Sequence, residues 1–181
     1  MNSNKNIRFP GIQNGETFTV AGMEFIKFPD KDGATPVVMR DIAFLSRFGE
    51  NNNLKESDVL ERMQKEILPK LVEELGEENV LTFRTDLTAL DGLKPYEDLE
   101  SKISLCPLDF YRENVEIFDR YPVDTWWWLA NPESAPPHED PWWVLCVSPS
   151  GCVSNVIHYY GIVGVRPFCI FNSSIFGSCE D

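Results

Sequence analysis

Three consecutive tryptophans, Trp126, Trp127 and Trp128, open the last third of this chain, and Trp142 and Trp143 follow a proline-rich gap. Together they are all five tryptophans of the sequence. Successive side chains of a strand point to opposite faces, so at least one ring of the run must point away from the side that buries the others. Five large rings either build a core or wait for a partner. For the run 126–128 the expectation is burial between strands and helices, with Trp127 structural. For Trp142 and Trp143, exposure and burial are equally open.

The 181 residues fit one domain, and 43% hydrophobic content is enough for a sizeable core. The formal charge of −13 lacks the basic stripe a nucleic-acid binder needs, and it disfavours anionic membranes. No apolar run is long enough for a signal peptide or a bilayer span. The expectation is a protein made in the cytoplasm, with virion or cell-surface placement still open and no membrane insertion. The five cysteines form no CxxC pattern, which points to reduced, mostly buried thiols. A Cys146–Cys152 bridge across Ser148-Pro149-Ser150-Gly151 is the less favoured alternative.

Residues 1–15 are rich in Asn, Gly and Lys and are expected to form a flexible arm; 16–181 form the domain. Phe18, Val20, Met23 and Phe25 around Ala21-Gly22 predict a hairpin. Pro36 to Phe48 starts as a strand. Asn53 and Glu56 have capping-box spacing. Leu60, Met63, Ile67, Leu71 and Leu75 then predict a helix that ends at Gly76 and breaks near Lys65 to Leu68, ahead of Pro69. Its glutamates form a solvated face. Val80–Leu87 predicts a strand. Pro107 opens a second helix carrying Phe110, Tyr111, Val115 and Phe118. Trp126–Pro132 is a strand, 133–141 a loop, and 142–157 a hairpin about Pro149 and Gly151. Val163–Phe171 is a final strand. Strands with two helices and long loops define an α+β domain.

The order of signatures resembles a family of bacterial and phage domains of unknown function. These carry a WWLRSP strand, a hairpin with a central glycine, and a closing GVRP strand. The counterparts are Trp126 to Pro132, Gly151, and Gly164-Val165-Arg166-Pro167, with Leu108 to Arg112 similar to an upstream DEYR segment. The likeness covers most of residues 16–171. Ala130-Asn131 replaces the usual Arg-Ser, so no role of that arginine carries over. The resemblance implies a C-type-lectin-like fold, akin to the variable proteins of diversity-generating retroelements and, more remotely, to formylglycine-generating enzymes. In the retroelement proteins a hypermutated patch just before the closing strand binds a ligand. That zone corresponds to residues 138–162.

The residues in that zone suit such a role. Tyr and Trp give wide contact at low entropic cost, while Asn and His supply adaptable hydrogen bonds. On sequence alone, Asn155 to Ile162 reads as an aromatic edge strand; the resemblance shifts it to a binding face. The expected contact set is His138, Glu139, Asp140, Trp142, Trp143, Asn155, Ile157, His158, Tyr159, Tyr160 and Ile162. His138-Glu139-Asp140 cannot complete a calcium shell of six to eight oxygens, so neither a metal nor a cofactor is expected. Arg166, flanked by apolar residues, is expected to be buried and to hold loop carbonyls or a carboxylate. No HExxH, GxSxG or phosphate loop is present. Cys152 with His158 lacks a third orienting group. The resulting expectation is a non-enzymatic module recognising a protein or glycan, of the diversified or phage receptor-binding kind, with an oligomer compatible. The rivals are a formylglycine-generating-like oxidoreductase and an acidic phage protein that blocks a nucleic-acid-binding partner.

Overall fold

The computed structural model describes residues 7–177. Eleven strands and four short α-helices are present among them, an α+β architecture. Strands β1 (Thr17–Val20) and β2 (Met23–Lys27) pair as the expected hairpin. Its turn places both Ala21 (φ 50°) and Gly22 (φ 75°) in the left-handed region, the geometry of a two-residue turn that matches strand twist. The unfavourable conformation of Ala21 is held by its amide donating to the Glu74 carboxylate. Strand β3 (Ala34–Met39) extends the sheet, and β4 (Phe44–Ser46) leaves it for another.

The long helix divides where the sequence requires. Helix α1 (Asp58–Glu66) stops before Ile67, and α2 (Leu68–Leu75) restarts with Pro69 in its first turn, where a missing N–H costs no hydrogen bond. The cap differs from the expected box. Asn53 caps a 3-10 turn at Leu54–Glu56, and Ser57 caps α1, its Oγ accepting from Leu60 N at 3.1 Å and donating to Leu54 O at 2.7 Å. Ser57→Ala should therefore cost about 1 kcal/mol. That corresponds to a fall of roughly 2–4 °C in Tm for a domain of this size. Thermal unfolding followed by circular dichroism checks this, and an unchanged Tm would mean that the cap is idle.

Strands β5 (Phe83–Thr85) and β6 (Leu99–Ser101) form a separate ribbon. The second predicted helix is also broken, into α3 (Leu108–Glu113) and α4 (Val115–Phe118), so the expected pair of helices becomes four segments. Strand β7 (Trp127–Pro132) is buried along its whole length. It pairs with β8 (Trp143–Val147), which pairs with the edge strand β9 (Val153–Ile157). The predicted last strand is two: β10 (Val163–Val165) and β11 (Phe168–Asn172), separated by Arg166-Pro167. β10 lies between β4 and β7 in a five-stranded sheet ordered β4-β10-β7-β8-β9, while β11 closes a four-stranded sheet ordered β1-β2-β3-β11.

Both faces of β7 are covered. Trp128 enters the larger core with Phe48, Val59, Leu71 and Val144. Trp127 enters a second core with Leu129, Tyr111, Phe118 and Phe168. Trp126 remains 39% exposed, the ring that two-sided burial leaves over.

The described part of the expected flexible arm is docked. Arg8 N and Phe9 N both donate to Ile175 O, and the Phe9 ring lies 4.9 Å from that of Phe18. An apolar residue nine positions from the start outweighs the polar composition of its neighbours. Residues 1–6 lie outside the described residues.

Candidate functional site

The residues expected on the display face cluster at the open end of the β8–β9 hairpin. The register pairs Trp143 with Ile157, and His158 N donates to Trp142 O one step further on. Trp142 N in turn donates to Asp140 O, which ties the 138–140 loop to the same end. Trp142 is 48% exposed, Tyr159 58%, Tyr160 49% and Ile162 60%. Leu45, 50% exposed, lies on β4 across from Gly164, at the sheet edge opposite β9, and is not part of this cluster.

His158 holds the platform in place. Its carbonyl accepts from Phe48 N at 2.8 Å and Gly49 N at 3.3 Å, and its Nδ1 lies 2.7 Å from Gly49 O. With the Trp142 bond, these contacts clamp the turn onto the loop after β4. The His158 ring packs edge-on to Tyr159 at 5.3 Å. The exposed rings thus project from a backbone fixed by these bonds.

The other expected contacts divide between exposed and engaged. Glu139 and Asp140 are exposed. His138 is exposed, with Nδ1 at 3.0 Å from Asp91 Oδ2. The Asp91 carboxyl is held below its usual range: burial acts upward, but hydrogen bonds from Leu93 N, His138 and Ala135 N outweigh it. Trp143 and Ile157 are half-buried against each other across the ribbon. Asn155 Nδ2 donates to Glu133 Oε1 at 2.5 Å, so its amide is already engaged. Among the described residues no group of three or more His, Cys, Asp or Glu is placed to hold a metal, and no helix is long and apolar enough to cross a membrane.

Cys152 and His158 stand at opposite ends of β9, roughly 20 Å apart at strand rise. They form no dyad. Cys146 and Cys152 are free thiols, so the less favoured bridge is absent. Burial pushes the Cys146 thiol up to about 12 and those of Cys106 and Cys169 higher still. Cys152 alone of these four is exposed; Cys179 lies outside the described residues. In the Cys179→Ser protein, Ellman's reagent at neutral pH should titrate one thiol under native conditions and four after denaturation. More than one fast native thiol would mean that the core around Cys146 opens.

Arg166 is buried as expected and holds loop carbonyls. Nε donates to Met39 O at 3.1 Å and Nη2 to Arg40 O at 2.8 Å. Its guanidinium carbon lies 4.7 Å from the Trp127 ring centroid. Asn131, in the place where the resembled family has serine, is a further organising residue. Its Oδ1 accepts from Leu108 N, and its Nδ2 donates to Asp86 O and Thr88 O, fastening β7 to α3 and to the segment after β5. No family model, curated protein or solved structure matches the chain.

Proposed function

We propose that this chain is a protein-recognition module of C-type-lectin-like type, and that the platform of Trp142, Tyr159, Tyr160 and Ile162 is its contact surface. The observation carrying this reading is that four large apolar side chains within 21 residues, Trp142, Tyr159, Tyr160 and Ile162, are each about half exposed or more on a turn clamped by His158. A soluble chain leaves such a cluster uncovered at a cost, and clustered exposed rings mark interaction sites. Aliphatic Ile162, 60% exposed, favours a protein over a glycan, because sugars stack on rings and gain little from branched aliphatic chains. Glu139 and Asp140 border the platform, and the chain carries a charge of −13. The fitting partner offers an apolar anchor flanked by basic residues.

The order of signatures supports the finer fold reading. WWWLANP lies on and just before β7, Gly151 in the hairpin turn, and GVRP at the passage between the two large sheets. A diversified or phage receptor-binding role belongs to this proposal. A near-copy of the DNA encoding 138–162, altered at adenines and beside a reverse-transcriptase gene, would assign it to the diversified class.

The experiment is panning of a phage-displayed peptide library on the full chain, with the Trp142→Ser/Tyr159→Ser double variant as counter-target and a glycan array in parallel. The expected result is enrichment of peptides with an aromatic or aliphatic anchor and flanking Lys or Arg, which bind the wild type and lose the variant. Peptides that bind both proteins alike, glycan binding through the same rings, or concentration-dependent self-association that the variant abolishes would each overturn the reading.

A further inference from the structure

A cavity of about 280 Å³ opens at the other end of the β8–β9 hairpin, beside the Ser148–Gly151 turn, remote from the platform. Its walls come from Tyr111, Phe118, Trp127 and Tyr121, and its rim from Asp119 and Ser150. Arg166 also lines it.

The guanidinium makes this cavity unusual. Arg166 is 1% exposed, yet among the described residues no carboxylate lies within salt-bridge distance of it. Its two bonds engage Nε and Nη2, leaving Nη1 without a hydrogen-bond partner among the described residues. Trp127 and Phe118 pack against it, with ring centroids at 4.7 and 5.6 Å. Burial pulls its pKa down to about 10, so it remains charged at neutral pH. A buried charge is costly unless paired, and its preferred partner is a planar oxyanion.

From this arrangement we infer that the cavity binds a small organic monocarboxylate, its carboxylate against Arg166 Nη1 and its body in the mouth beside Tyr121, Val123 and Pro149. Size and charge set the class. The volume lies just under the roughly 300–1,000 Å³ of drug-sized sites, which fits a small molecule and not a polymer. The exposed lining is more polar than apolar, with the rings of Trp127, Tyr111 and Phe118 buried behind it, so the ligand is small and its body stays in the mouth. Exposed Asp119 at the rim disfavours a second negative charge, so inorganic phosphate and dicarboxylates fit poorly. The Tyr111 hydroxyl, donating to Gly151 O at 2.7 Å, braces the hairpin turn over the opening.

The test uses benzoate, benzamide and inorganic phosphate as probes of the full chain, with binding measured by calorimetry. Benzoate should bind, with benzamide and phosphate each at least about tenfold weaker, as expected when a charge-assisted bond is lost or a rim charge repels. Ser150→Trp should abolish benzoate binding by closing the mouth, with an unchanged circular dichroism spectrum. Arg166→Lys, if folded by the same criterion, should weaken benzoate more than tenfold. Equal binding of benzoate and benzamide, benzoate binding that survives Ser150→Trp, or no benzoate binding at tens of millimolar would overturn the assignment.

Discussion

Trp128→Ala should lower the stability of this protein by roughly 3–5 kcal/mol, the range for truncating a large buried ring. Trp128 is fully buried, meets Phe48 edge-on at 5.4 Å, and donates from Nε1 to Ser46 O at 3.0 Å. The substitution opens a cavity in the larger core and strands the Ser46 carbonyl. Against a typical total of about 5–15 kcal/mol, the loss removes roughly a fifth or more of the margin. Denaturant unfolding checks it, reading the midpoint at constant slope. Trp126→Ala, at the half-exposed ring of the same run, should lose only a small part of that. Equal losses from the two variants would mean that the alternation along β7 does not decide their burial.

Trp142→Ala should do the reverse. Its ring is 48% exposed, and its backbone bonds to Asp140 and His158 do not involve the side chain. The Tm should stay within a few degrees of wild type. Binding of the selected peptides should fall by at least about 30-fold, because a central aromatic anchor is worth roughly 2 kcal/mol or more. Tyr159→Ala and Tyr160→Ala should follow the same pattern. A Trp142→Ala protein that unfolds, or one that binds as wild type, places the contact surface elsewhere. Raising the salt concentration should slow association more than it speeds dissociation, since Glu139 and Asp140 act by steering.

The elements with strong local chemistry were legible in the sequence. Ala21-Gly22 marked the hairpin, Pro69 the break between α1 and α2, and Pro149-Gly151 the second hairpin turn. The burial of Arg166 could be read from its apolar flanks, and its bonds to the Met39 and Arg40 carbonyls are of the expected kind. What could not be read depends on contacts between distant segments. Nothing local tells β10 to join β7 in parallel while β11 turns to β3. Leu99–Ser101 becomes a strand only because Phe83–Thr85 lies beside it. Phe9 docks because Phe18 and Phe176 supply a slot, and no periodicity in a short polar segment announces that. The candidate platform was readable as an aromatic-rich stretch, but which rings face water was decided by register: Trp143 lies across from Ile157, and Trp142 one step beyond the strand. The cavity beside Arg166 was invisible for the same reason, since its walls come from α3, α4, β7 and the Ser148–Gly151 turn.

The passage from β10 through Arg166-Pro167 to β11 has a consequence for biosynthesis. The N-terminal hairpin and β3 emerge early from the ribosome, yet the edge of β3 that receives β11 stays open until residue 172 has cleared the exit tunnel. Phe171, fully buried beside Phe18 and Phe25, arrives with it. Between the emergence of β3 and that of β11 the nascent chain therefore carries an unpaired edge and an incomplete core. Native closure of that sheet is a late event, and one that nascent chains stalled before Phe168 cannot reach.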